Sequence, residues 1–182
     1  MRTWVPVSTS PKGRLAICAL AEFGRRPYKE VTVGELAAGA SVTTGALYHH
    51  FGSKLGLYTF VRSEAERRLL DRMEGAAAAG EVRSAAVALS SALLVGFDFA
   101  VDQGFLHLLG EDPQSAADDP VADVLAKLSH AGPTPLGRAF AAAWRATLMA
   151  VFDGESQQNA RAALRLLTSS ADLGPRVGQD EV

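Results

Sequence analysis

Sulfur chemistry is almost absent from this chain. Its single cysteine, Cys18, excludes an internal disulfide and any cysteine-cluster zinc site, and fits a reducing compartment. Cys18 falls on the apolar side of a predicted first helix beside Ala19, so core packing is its expected role. Long apolar runs are missing as well. The longest uncharged stretch made mainly of apolar residues, Ser84 to Phe97, is fourteen residues with three serines, too short and too polar to cross a bilayer. The opening MRTWVPVSTSPK lacks the apolar core of a signal peptide. A soluble, cytoplasmic protein with no membrane partner is expected.

Catalytic signatures are missing too. There is no G-x-S-x-G, no H-E-x-x-H and no phosphate-cradling glycine loop, so no enzyme activity is expected. His49 and His50 are adjacent, and neighbours on a helix diverge by about 100°, which prevents them from chelating one ion. Neither metal nor cofactor is expected. No alternating strand pattern and no internal repeat is found, so the predicted fold is all-α, with about nine helices.

What is present begins with an uneven charge. The net charge of −2 combines +5 over residues 1–70 with −7 over residues 71–182. A basic first third on an acidic remainder fits a nucleic-acid-binding head on a different kind of body. Uneven solvated charge alone would give the same numbers, so the motif must decide.

That motif lies between Thr32 and Lys54, in TVGELAAGASVTTGALYHHFGSK. Thr32 with Glu35 reads as a capping box opening a short helix. Ser41-Val42 forms a turn, and Thr43 caps a second helix whose Leu47 and Phe51 face inward. Thr44, Gly45, Tyr48 and His49 are left outside, a small polar and aromatic face without an acid, suited to a phosphate-lined major groove. Ser53 caps the next helix, and Lys54 in its first turn is placed to share a phosphate with helix N–H groups. Thr32, Thr43, Thr44, Gly45, Tyr48, His49 and Lys54 are the candidate DNA-binding residues.

This stretch resembles the helix-turn-helix of the TetR family of transcriptional regulators. The matching residues run from Leu15-Ala16, Ala19, Phe23 and Tyr28 through Thr32-Val33, Leu36-Ala37, Ala40 and Val42. They end with Gly45, Leu47-Tyr48, His50-Phe51, Ser53-Lys54 and Leu57, so about a quarter of the chain is covered. Pro27, Val31 and Ser41 depart from the family's usual residues. Ser41 stands where a turn glycine is usual, at a cost of about 1 kcal/mol if its φ is positive. The resemblance implies a DNA-binding head over residues 10–56, a helical effector-binding and dimerisation body over 57–172, and a repressor released by its ligand. Residues 1–9 and 173–182 are expected to be flexible tails.

The remaining expectations concern the body. A helix from Lys54 to about Met73 should carry RSEAERR on its outer side, with a joint at residues 74–80 where glycines flank four alanines. Residues 82–103 are apolar almost all round, the mark of a central helix. EDPQSAADDP reads as an exposed acidic loop. Phe97, Asp98, Phe105, Trp144 and Met149 are candidates to line a pocket for a small lipophilic effector. Asp98 requires a partner such as Arg145 or a cationic or hydrogen-bonding ligand if it is buried, and otherwise sits at the surface or in a structural ion pair.

The last two long helices carry small residues at helical spacing. Ala142, Ala146, Ala163, Leu164 and Leu167 either close the monomer core or meet a second copy in a four-helix bundle. The resemblance implies the second, a homodimer on a roughly palindromic double-stranded DNA operator. Two other readings stay open: a constitutive DNA-binding dimer without an effector, and a helical enzyme or carrier.

Overall fold

The computed structural model describes residues 9–81, 84–113, 118–129 and 135–170. Among these residues it is all-α, with helices α1 (Pro11–Arg25), α2 (Val33–Gly39), α3 (Thr44–Phe51), α4 (Lys54–Glu81) and α5 (Ala85–Gln103), then α6 (Leu106–Gly110), α7 (Pro120–Leu128), α8 (Pro135–Phe152) and α9 (Gln157–Ser170). The expected tails, apart from Thr9, lie outside the described residues.

Most boundaries follow from local chemistry. Ser10 accepts from the Gly13 amide ahead of a proline in the first turn of α1. Ser84 caps α5 through the Val87 amide, and Gly104, at φ 70°, ends it in the left-handed conformation. The expected joint at residues 74–80 is instead unbroken helix, and α4 runs for 28 residues. Gly80 explains the difference. A Cβ there would stand 2.9 Å from the Ala88 Cα, so this glycine lets α5 close tightly on α4 rather than loosening the chain.

One continuous apolar cluster runs from Leu15 on α1 to Leu164 on α9, with Trp144, Phe23 and Phe97 among its largest fully buried side chains. By length and composition α5 could span a bilayer, but Leu89, Ala92, Leu93, Phe97 and Ala100 are buried against neighbouring helices.

Two polar links cross this interior. The acidic stretch expected to be an exposed loop supplies both. Asp119 is buried, caps α7 through the Val121 and Ala122 amides, and grips the Arg145 guanidinium. Glu111 accepts from the Tyr58 hydroxyl at 2.8 Å. Arg62, expected on the outer side of α4, is buried: it donates to Glu66 at 2.9 Å, to the Tyr58 hydroxyl at 3.1 Å and to the Glu111 carbonyl at 2.8 Å. Burial, opposed by Arg62, pushes the Tyr58 hydroxyl up to about 12, so it stays a donor to Glu111.

Candidate nucleic-acid interface

The expected pair of short helices is present with its caps. The Glu35 amide donates to Thr32 Oγ1 at 3.2 Å, and the Thr32 amide donates to Glu35 Oε2 at 2.7 Å, a complete capping box at the start of α2. The Thr32 amide and hydroxyl, followed by Arg26, draw the Glu35 carboxyl down to about 2. Arg26 bridges Glu35 and Glu22, pinning the end of α1 to the start of α2.

The turn between α2 and α3 is made by Ser41, whose φ of 53° puts a serine in the left-handed region. Its neighbours hold it there. The Ser41 amide donates to the Ala38 carbonyl, and the Val42 amide to the Ala37 carbonyl at 2.9 Å. Arg14 on α1 donates from Nε to the Ala40 carbonyl at 2.9 Å, so the first helix braces the turn from behind. Beside it the Cys18 thiol packs on the core, and burial, with Glu22, raises its pKa. A protonated, half-buried thiol matches the packing role expected of it.

Helix α3 begins at Thr43, whose hydroxyl accepts from the Ala46 amide at 3.2 Å. Leu47 is fully buried, and Phe51 packs on Phe60 with ring centroids 5.4 Å apart. Thr43, Thr44, Gly45, Tyr48 and His49 are all exposed, with Tyr48 53% accessible. The outward side of α3 is therefore the one expected. It carries no acid and stands on a scaffold fixed by two caps and a braced turn. Among the described residues no cluster of potential ligands could hold a metal ion.

Lys54 is placed differently. Its ammonium donates to the Tyr28 carbonyl at 2.9 Å and the Val31 carbonyl at 2.8 Å, and lies 4.0 Å from the centroid of the Tyr28 ring. Two of its three donors are thus spent inside the protein, tying the start of α4 to the connection between α1 and α2. Proximity to a helix N-terminus suggested a phosphate anchor; the carbonyls that compete for the ammonium are 23 and 26 residues away in sequence.

The expected effector pocket does not assemble. Phe97 and Trp144 are buried with at most 1% accessible, and the Trp144 indole donates to the Leu93 carbonyl. Phe105 is buried against Phe99, and half-buried Met149 packs on Gly110. These large side chains fill the core rather than line a space. Asp98 is at the surface, paired with Arg161 of α9 and not with Arg145. It borders a pocket of about 340 Å³ with Arg72, Phe99 and Asp102.

The residues expected at a dimer interface divide. Ala142, Ala146, Ala163 and Leu167 are exposed, whereas Leu164 is 1% accessible and belongs to the monomer core, as does Ala160. On α9 the inward face holds Ala160, Leu164 and Thr168, and the outward face holds Ala162, Ala163, Leu166 and Leu167.

Residues 18–59 match the sequence family described as bacterial regulatory proteins, tetR family. An HTH-type transcriptional repressor, KstR2, from two strains of Mycobacterium tuberculosis is 44% identical over 45 residues, 25% of this chain and 22% of the relative. The match therefore spans about a fifth of those relatives' length. A tetR-family transcription regulator from Shewanella sp. PV-4 superposes with a TM-score of 0.67 at 20% identity, over 89% of this chain and 97% of its own. The TetR-family regulator PfmR from Thermus thermophilus gives a TM-score of 0.62 at 19% identity, over 93% and 100%.

Proposed function

We propose that this chain, which belongs to the TetR family, is a DNA-binding transcriptional regulator that acts as a homodimeric, ligand-responsive repressor in the cytoplasm. The observation that carries the reading is the exposed, acid-free face of α3, held by the Thr32 and Thr43 caps and the braced Ser41 turn. Thr44, Gly45, Tyr48 and His49 enter a major groove, where Thr44 and His49 meet base edges and Tyr48 and Thr32 meet phosphates. Lys54 acts indirectly, by holding the loop that sets the angle of α2.

A short recognition helix makes too few contacts for specific binding alone, so two heads read half-sites about one DNA turn apart. The second copy is met through the exposed small-residue stripes: Ala139, Ala142 and Ala146 on α8, with Ala163 and Leu167 on α9. Exposed apolar faces, where they are contiguous, mark association surfaces. Repression follows from operator occupancy, and a ligand that prefers the DNA-incompetent arrangement relieves it.

Selection of bound sequences from a random double-stranded DNA pool tests this. A roughly palindromic consensus, with binding that weakens steeply as salt rises, is the expected result. Recovery of no consensus by the wild-type protein would sink the reading.

A further inference from the structure

A cavity of about 570 Å³ opens beside the head, where the connection between α1 and α2, the first turns of α4 and the end of α6 meet. Its apolar wall is made by Pro27, Leu55 and the rings of Tyr28 and Tyr58, whose centroids are 5.0 Å apart. Its polar side is made by Arg62, His107, Glu111 and Asp112. That volume lies within the range of small-molecule sites, and flat aromatic walls with a few convergent polar groups are their usual lining.

The charges set the class of occupant. Arg62 is answered by Glu66, 2.9 Å away, and its other bonds go to the Tyr58 hydroxyl and the Glu111 carbonyl. Among the described residues the Glu111 carboxylate receives one hydrogen bond, on Oε2 from Tyr58. Its Oε1 lies 3.7 Å from His107 Nδ1, beyond hydrogen-bond reach and an ion pair only when that imidazole is protonated, so an added cation competes with His107 for this oxygen. Asp112 stands next to it and is exposed. Lys29, at the rim, is exposed and screened by solvent. We propose that this cleft is the effector site, and that it takes a flat apolar molecule carrying a cationic amidine- or amine-type donor, gripped by Glu111 and Asp112. The assignment rests on the regulator reading above.

The position explains how such a ligand would be felt by the head. Glu111 and Tyr58 join α4 to the end of α6 across 53 residues of sequence. Tyr28, edge-on to Tyr58 in the apolar wall, is held by Lys54 at the base of α4, in the connection that leads into α2. A donor that takes the Glu111 carboxylate competes with the Tyr58 hydroxyl and wedges the Tyr28 wall, so ligand and operator weaken each other by the same factor.

The test uses the full chain and three probes of one shape: 4-aminobenzamidine (cation), 4-aminobenzamide (neutral) and 4-aminobenzoate (anion). Binding is measured by calorimetry without DNA, with circular dichroism to confirm that each variant is folded. One site per chain is expected, with the cation favoured about tenfold, as for a hydrogen bond to a charged group. Glu111→Gln should remove that preference. Leu55→Trp, at a half-exposed position, should fill the cleft and abolish binding of every probe, while Asp98→Asn, beside the other pocket, should leave it intact. The cation should also weaken wild-type operator binding. Absence of binding, equal binding of all three probes, binding that survives Leu55→Trp, or binding with no effect on the operator would each overturn the assignment. Failure of the probe-free DNA selection would instead remove the regulator reading, with the cleft still judged by the calorimetry.

Discussion

Arg145 and Asp119 form a two-pronged ion pair in the interior, Nη1 to Oδ2 and Nη2 to Oδ1, both at 2.7 Å. The same carboxylate caps α7, so one side chain fixes both the start of that helix and its packing on α8. Removing one partner strands a buried charge. Asp119→Ala should cost about 3–5 kcal/mol in urea unfolding, whereas simultaneous replacement of both by apolar residues should cost less than the single change. Equal losses would show that the capping bonds, and not the pair, carry the effect.

Asp119 also sets a pH dependence. Burial opposes ionisation, but Arg145 and the α7 amides prevail, and the carboxyl sits below its ordinary value of 3.8. A group depressed in the folded state contributes fully above the unfolded value. Its contribution should therefore hold above about pH 5 and be lost as pH falls below 3.8. Glu35, drawn down to about 2 by the capping box and Arg26, should act in the same direction. Acid titration of wild type against Asp119→Asn should show a shallower loss in the variant.

Ser41 stores strain at the turn of the candidate interface. At φ 53° a serine costs roughly 1–2 kcal/mol and a glycine does not, although glycine loses more chain entropy on folding. Ser41→Gly should thus raise stability by about 0.5–1 kcal/mol in thermal unfolding and leave DNA sequence preference unchanged. A destabilised variant would mean that the serine side chain contributes more than its backbone costs.

Lys54 separates two roles that the sequence cannot distinguish. Since its ammonium bonds the Tyr28 and Val31 carbonyls, Lys54→Ala should lower the melting temperature and leave the salt slope of DNA binding nearly unchanged. A slope reduced by about one phosphate with stability intact would restore the phosphate-anchor expectation. Thr44→Ala and His49→Ala should alter sequence preference with little effect on stability, because both side chains are exposed.

Burial makes the proposed dimer surface testable by contrast within one helix. Ala142→Arg or Ala163→Arg, both at exposed positions, should yield folded monomers by sedimentation. Leu164→Arg, one residue further along α9 and 1% accessible, should unfold the chain instead. A dimer that persists in both alanine variants would place the interface elsewhere.

By itself the sequence determined what is decided within a few residues: the caps at Thr32, Thr43 and Ser53, the helical periods, and the outward face of α3. Each is a bond or a stripe whose partners lie within a turn or two, so spacing alone reveals it. Tertiary structure decided which charge meets which. Asp98 could have paired with any arginine; only the packing of α9 on α5 brings Arg161 to it, 63 residues away, and leaves Arg145 to Asp119. Lys54 was drawn inward by carbonyls that the fold carries to it, and Gly80 became a packing site because α5 returns against it. The junction cleft was hidden for the same reason. Tyr28, Tyr58 and Glu111 lie on three separate segments, and an aromatic wall facing a carboxylate exists only once the chain has closed.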